Sequence, residues 1–172
     1  MRSSKVFVLF ACVVGLSLIG TSWCGAANYT SNYPGRSIGI SCQGNAALDA
    51  KGNVASCTIA QNGNFTNNYP GRSIGMTAKA GTGVAFDSRN GNVVSFTLAQ
   101  NGNFTNNYPG RSIGLTCKGD TGATFDPANG NIAACVLAQN GSFTNNFPGK
   151  SVGVSCRGGS TVRFDEKGNV GC

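Results

Sequence analysis

Histidine is absent from this 172-residue sequence, and acids are scarce, with 6 Asp+Glu against 13 Lys+Arg. Without histidine there is no Ser-His-Asp or Cys-His nucleophile and no His-ligated metal site. So few carboxylates leave little room for a paired acid and base, and no enzyme activity, cofactor or metal is expected. The Asp-Gly-Asn turns offer fewer oxygen donors than Ca²⁺ needs. Helical spacing with caps is lacking throughout. No cluster of Lys/Arg marks a nucleic-acid surface, and no run beyond the N-terminus is apolar enough to cross a bilayer.

What the N-terminus has is an address. Arg2 and Lys5 precede the apolar run Val6 to Ile19, and Gly25 and Ala27 fit a small-x-small cleavage site. Residues 1–27 therefore read as a secretory signal peptide, and the protein as secreted, extracellular or periplasmic. Its removal takes Arg2 and Lys5, leaving 11 basic and 6 acidic residues, a net charge of +5. It also leaves six cysteines: Cys42, Cys57, Cys117, Cys135, Cys156 and Cys172. An even count in an exported chain points to disulfides.

Residues 28–172 form a single domain that repeats itself. Asn32-Tyr-Pro-Gly-Arg-Ser-Ile-Gly39 returns at Asn68, Asn107 and Asn146, at intervals of 36, 39 and 39 residues. The units run over about 28–63, 64–102, 103–141 and 142–172. Within each, alternation of apolar and small or polar residues predicts strands, as in Ile113, Leu115 and Cys117. Asp-x-x-Gly turns follow a second short strand, and Asn-Gly signals a hairpin turn. The expected fold is all-β, with about three short antiparallel strands per unit, either an elongated solenoid-like sheet or a closed barrel or propeller.

Cysteines come in pairs within units: 42 with 57, 117 with 135, 156 with 172. The second unit has Ala78 and Phe96 at both places, so the two partners are lost together. That joint loss argues for one disulfide inside each unit that keeps its pair.

The segment between units changes least. Ala60–Gly75 and Ala99–Gly114 are identical over 16 residues, whereas 76–98 and 115–137 agree at 10 positions. Connecting loops ordinarily drift faster than the strands they join. Two readings account for this segment. One is packing: Asn-Gly and Pro-Gly set backbone angles, and the rings staple unit to unit. The other is recognition, with Tyr33, Arg36, Tyr69, Arg72, Tyr108, Arg111, Phe147 and Lys150 as ligand contacts. An aromatic ring, amides and a guanidinium together suit a glycan or an anionic cell-surface polymer, and four weak sites on one body gain by multivalency. The leading expectation is thus a secreted, non-enzymatic, lectin-like carbohydrate-binding protein. The alternative is a structural, self-associating extracellular protein, and a third reading is an inhibitor or effector of a partner protein. Glycosylation sequons begin at Asn28, Asn64, Asn103 and Asn140.

Overall fold

The structure is a computed structural model describing residues 25–172; the expected signal peptide lies outside the described residues as far as residue 24. The chain is all-β. Its first unit contributes β1 (Ala26–Tyr33), β2 (Arg36–Gln43), β3 (Ala47–Leu48) and β4 (Val54–Thr58). The second contributes β5 (Gly63–Tyr69), β6 (Arg72–Ala78), β7 (Gly83–Phe86) and β8 (Val93–Thr97). In the third are β9 (Gly102–Tyr108), β10 (Arg111–Cys117), β11 (Gly122–Phe125) and β12 (Ile132–Val136). The fourth holds β13 (Gly141–Phe147), β14 (Lys150–Cys156), β15 (Thr161–Phe164) and β16 (Val170–Gly171).

These strands make two layers. The first two of each unit close a hairpin through Pro-Gly: proline fixes φ at the first turn position, and glycine supplies φ +75 at Gly71 and +78 at Gly110. The other two join one antiparallel sheet of eight strands, ordered β3-β4-β7-β8-β11-β12-β15-β16. Each hairpin is a separate two-stranded sheet that meets the eight-stranded layer through side chains and, in the first three units, through backbone bonds at the end of its second strand, such as the Ala99 N–H to the Thr77 carbonyl. Phe65 packs edge-on against Phe86 with centroids 5.5 Å apart, and Phe104–Phe125 and Phe143–Phe164 repeat the contact at 5.6 and 5.8 Å. The core is this interlayer seam.

Disulfides Cys42–Cys57, Cys117–Cys135 and Cys156–Cys172 pin the second strand of a hairpin to the sheet beneath it. In the second unit Ala78 and Phe96 occupy the equivalent places, both buried. The Phe96 ring fills the space, lying parallel to Phe125 at 5.8 Å.

One finer expectation needs correction, and one of two expected arrangements is the one observed. Each unit has four strands where about three were expected, because the Asn-Phe-Thr-Asn-Asn-Tyr stretch is a strand and not a connector. Its inward positions carry Asn67 between Phe65 and Tyr69, and that polar residue masks the period-two pattern. The hairpin turn is accordingly Pro70-Gly71 and not Asn62-Gly63. The arrangement is also open: β3 and β16 are the two edges of the sheet, so the elongated alternative holds over the closed one.

Candidate functional site

Hairpin strands have two faces, and they do different work. On the inward face, carboxamides tie the last three hairpins to the sheet, and in the first the Ser31 hydroxyl accepts the Val54 N–H at 2.9 Å. Asn67 donates to the Val93 carbonyl at 2.8 Å and accepts the Val93 N–H at 2.6 Å. Asn106 treats Ile132 in the same way, and Asn145 treats Val170 so. A buried amide here acts as one more strand partner, because it has the donor and acceptor of a peptide group. Asn92 and Asn131, from the sheet side, return the pattern to the backbone of Asn68 and Asn107.

The rings and cations singled out from sequence also lie on this inward face. The structure brings those of the first three units to the turn of the following unit. Arg36 donates to the Asn92 side-chain oxygen at 2.8 Å and to the Thr66 carbonyl at 2.9 Å. Arg72 donates likewise to Asn131 and to the Thr105 carbonyl, both at 2.9 Å. Arg111 reaches the Thr144 carbonyl at 2.6 Å and the Gly168 carbonyl. Tyr33, Tyr69 and Tyr108 cover Gly91, Gly130 and Gly168, where a Cβ would collide with the ring. These glycines carry φ between +72 and +78, so both the turn and the ring require them. Burial pushes all three tyrosine hydroxyls above their ordinary pKa. The hydroxyls of Tyr33 and Tyr69 are buried without a hydrogen-bond partner; the ring is what the contact uses. Phe147 and Lys150 stand apart. Phe147 is 44% exposed, and the Lys150 ammonium lies 6.0 Å from its centroid.

The outward face is uncharged and regular. Along β5 it shows Asn64, Thr66 and Asn68, and along β6 Ser73, Gly75 and Thr77. Cross-strand pairs Asn68–Ser73 and Asn64–Thr77 are hydrogen-bonded at 3.0 and 2.8 Å, and Thr66 faces Gly75. A Cβ on Gly39, Gly75, Gly114 or Gly153 would meet nothing within 4 Å, and none has positive φ. Neither backbone nor crowding asks for glycine there. Between hairpins β5–β6 and β9–β10 a groove of about 400 Å³ opens, walled by Asn64, Thr66, Gly75, Thr77, Gln100 and Asn103. Phe65 and Met76 form its apolar floor. A groove of the same size follows between β9–β10 and β13–β14.

Sequence reasoning took the repeated segment as one surface and overlooked the outward threonines and glycines. A signal was present. Thr30/66/105/144, Asn32/68/107/146, Ser37/73/112/151 and Gly39/75/114/153 are each identical in all four units. The inward places alternating with them all vary somewhere: Tyr/Phe at 29/65/104/143, Ser/Asn at 31/67/106/145, Arg/Lys at 36/72/111/150, Ile/Val at 38/74/113/152. Thr144 persists although Ser142 has replaced the sequon asparagine, so glycosylation does not explain the threonine. Set against known protein families, curated proteins and solved structures, the chain matches none.

Proposed function

We propose that this is a secreted, non-catalytic binding protein that holds an extended, neutral polysaccharide across its layer of hairpins. One observation carries the reading. Two exposed strand positions that neither the backbone nor crowding constrains, Thr66 and Gly75 with their equivalents, are identical in four units, although outward Asn64 and Thr77 give way to serine elsewhere, while the buried positions beside them vary. Solvent-facing residues drift first when nothing touches them, and glycine in a strand costs roughly 0.5–1 kcal/mol relative to alanine. An open glycine repeated on the outside of a strand marks a place where a ligand approaches the backbone closely. The grooves supply hydroxyl and amide partners above an apolar floor, which suits a sugar ring with its polar rim and C–H faces. Units recur at two strand spacings, about 10 Å, so a linear polymer with a commensurate repeat engages several grooves at once and gains avidity. The outward residues carry no charge, which favours a neutral glycan over the anionic polymer.

The experiment compares the protein with Gly75→Gln and Gly114→Gln in retention on insoluble neutral polysaccharides and on a glycan array. Retention that is lost in both variants at an unchanged melting temperature supports the reading. Binding should persist in high salt, because screening weakens only charge-driven contacts. If no polysaccharide retains the parent, or the glutamine variants bind as the parent does, the reading is wrong.

A further inference from the structure

Three times within the chain, a ring and a cation on one hairpin seat on the turn of the next unit. Half of that contact stands open at each end of the described stack. At one end Phe147 and Val152 are 44% and 40% exposed, whereas Tyr33 and Ile38, in the same positions of the first unit, are each 8% exposed. At the other end the turn from Asp49 to Asn53 holds Gly52, φ +80, over which a Cβ would meet nothing. Gly91, Gly130 and Gly168 in the later turns are each covered by a tyrosine ring. Asn53 accepts the Asn32 N–H at 2.8 Å, as Asn92 accepts that of Asn68. Among the described residues no guanidinium reaches Asn53, though one reaches Asn92 and another Asn131.

The carboxylate of that open turn is also incomplete. Asp49 Oδ2 is buried without a hydrogen-bond partner, whereas the same oxygen is held by Arg89 in Asp87, by Asn129 in Asp126 and by Asn169 in Asp165. Beside it Leu48 is 49% exposed, while Phe86 and Phe125 in its place are 6% and 4% exposed.

We propose that the Phe147, Lys150 and Val152 face docks on the Gly52 turn of a second copy of this chain, repeating between molecules the contact made three times within one. The chemistry of the two halves fits. Phe147 covers glycine without a hydroxyl to bury, which Tyr33 and Tyr69 both bury unpaired. Lys150 brings a cation to Asn53, the place that takes a guanidinium at Asn92 and Asn131, beside a carboxylate oxygen without a partner. The sheet edges agree: β4 pairs β7, β8 pairs β11 and β12 pairs β15, and β16 and β3 are the open strands of that series. Two different patches meet, so the contact is heterologous and builds open-ended rows.

Sedimentation of the protein purified from a secreting host, over a range of concentrations, tests this. The mean mass should rise past the dimer without a plateau. Phe147→Asp destroys one half of the contact and Leu48→Asp the other, and each should weaken self-association by roughly tenfold or more. An equimolar mixture of the two should stop at a 1:1 dimer, because each variant retains the half its partner lacks. Circular dichroism and melting confirm that the variants fold, and Lys150→Glu or Leu48→Lys stands in for one that does not. A parent that stays monomeric throughout, or a single variant that associates as the parent does, overturns the proposal. Polysaccharide retention reads a different surface, so either proposal can fail while the other stands.

Discussion

Asparagine and arginine side chains link hairpin to sheet and unit to unit. Arg72 bridges units through the Asn131 side chain and the Thr105 carbonyl, so Arg72→Ala leaves both acceptors short of a donor. Hydrogen bonds to a charged group contribute roughly 1.5–3 kcal/mol, and the stability read from urea unfolding should fall by about 2 kcal/mol. Lys150→Ala, at an exposed position, should change it by no more than about 0.5 kcal/mol. Equal losses in the two variants would mean that the inter-unit contact contributes little. Asp87 gives an acid signature. The Arg89 side chain bound to it, helped by the Arg89 backbone N–H, holds its carboxyl below the ordinary range. A carboxylate depressed in the folded state stabilises fully above its unfolded pKa, and the contribution fades as pH falls through the folded value. Asp87→Asn should therefore be less stable at neutral pH and lose less on acidification, read as a flatter acid limb of melting temperature against pH.

At the scale of the element, the sheet and the second strand of each hairpin were far more legible than the first strand of each hairpin. Ile113, Leu115 and Cys117 announce β10 by alternation, and the joint absence of cysteine at Ala78 and Phe96 gave the disulfide pairing. Strand β5 was hidden because Asn67 and Asn68 follow one another, one buried as a surrogate peptide and one in water, and composition cannot tell them apart. The same obscurity hid the split between the two faces of the repeated segment: only strand register assigns Thr66 and Gly75 outward and Tyr69 and Arg72 inward. The second unit offers a test of what its missing bridge is worth. Ala78→Cys with Phe96→Cys should form a disulfide, since the flanking strands match those of Cys117 and Cys135. Closing such a loop contributes roughly 3 kcal/mol, but removing the Phe96 ring from its place beside Phe125 costs about 3–5 kcal/mol. The oxidised double variant should melt no higher than the parent, and a marked gain would show that Phe96 packs loosely.

Over the whole molecule, each unit touches chiefly its neighbours, and stability is a sum along a line of units and interfaces. Weakening the Arg72 contact should therefore loosen the stack at one joint, visible as faster amide exchange on both sides of it before global unfolding. The same layout decides how the protein carries load. The ladder hydrogen bonds of the eight-stranded sheet run along the stack, so a pull on its two ends peels strands in turn and does not shear them together. The three disulfides act as rivets, withholding loops of 15, 18 and 16 residues from extension. The span from Cys57 to Cys117 has no such shortcut and should give the longest single lengthening in a force–extension trace. Reduction should add on the order of 150 Å to the full extension. Under tension the protein is a strap that yields in its second unit and stays short at its ends.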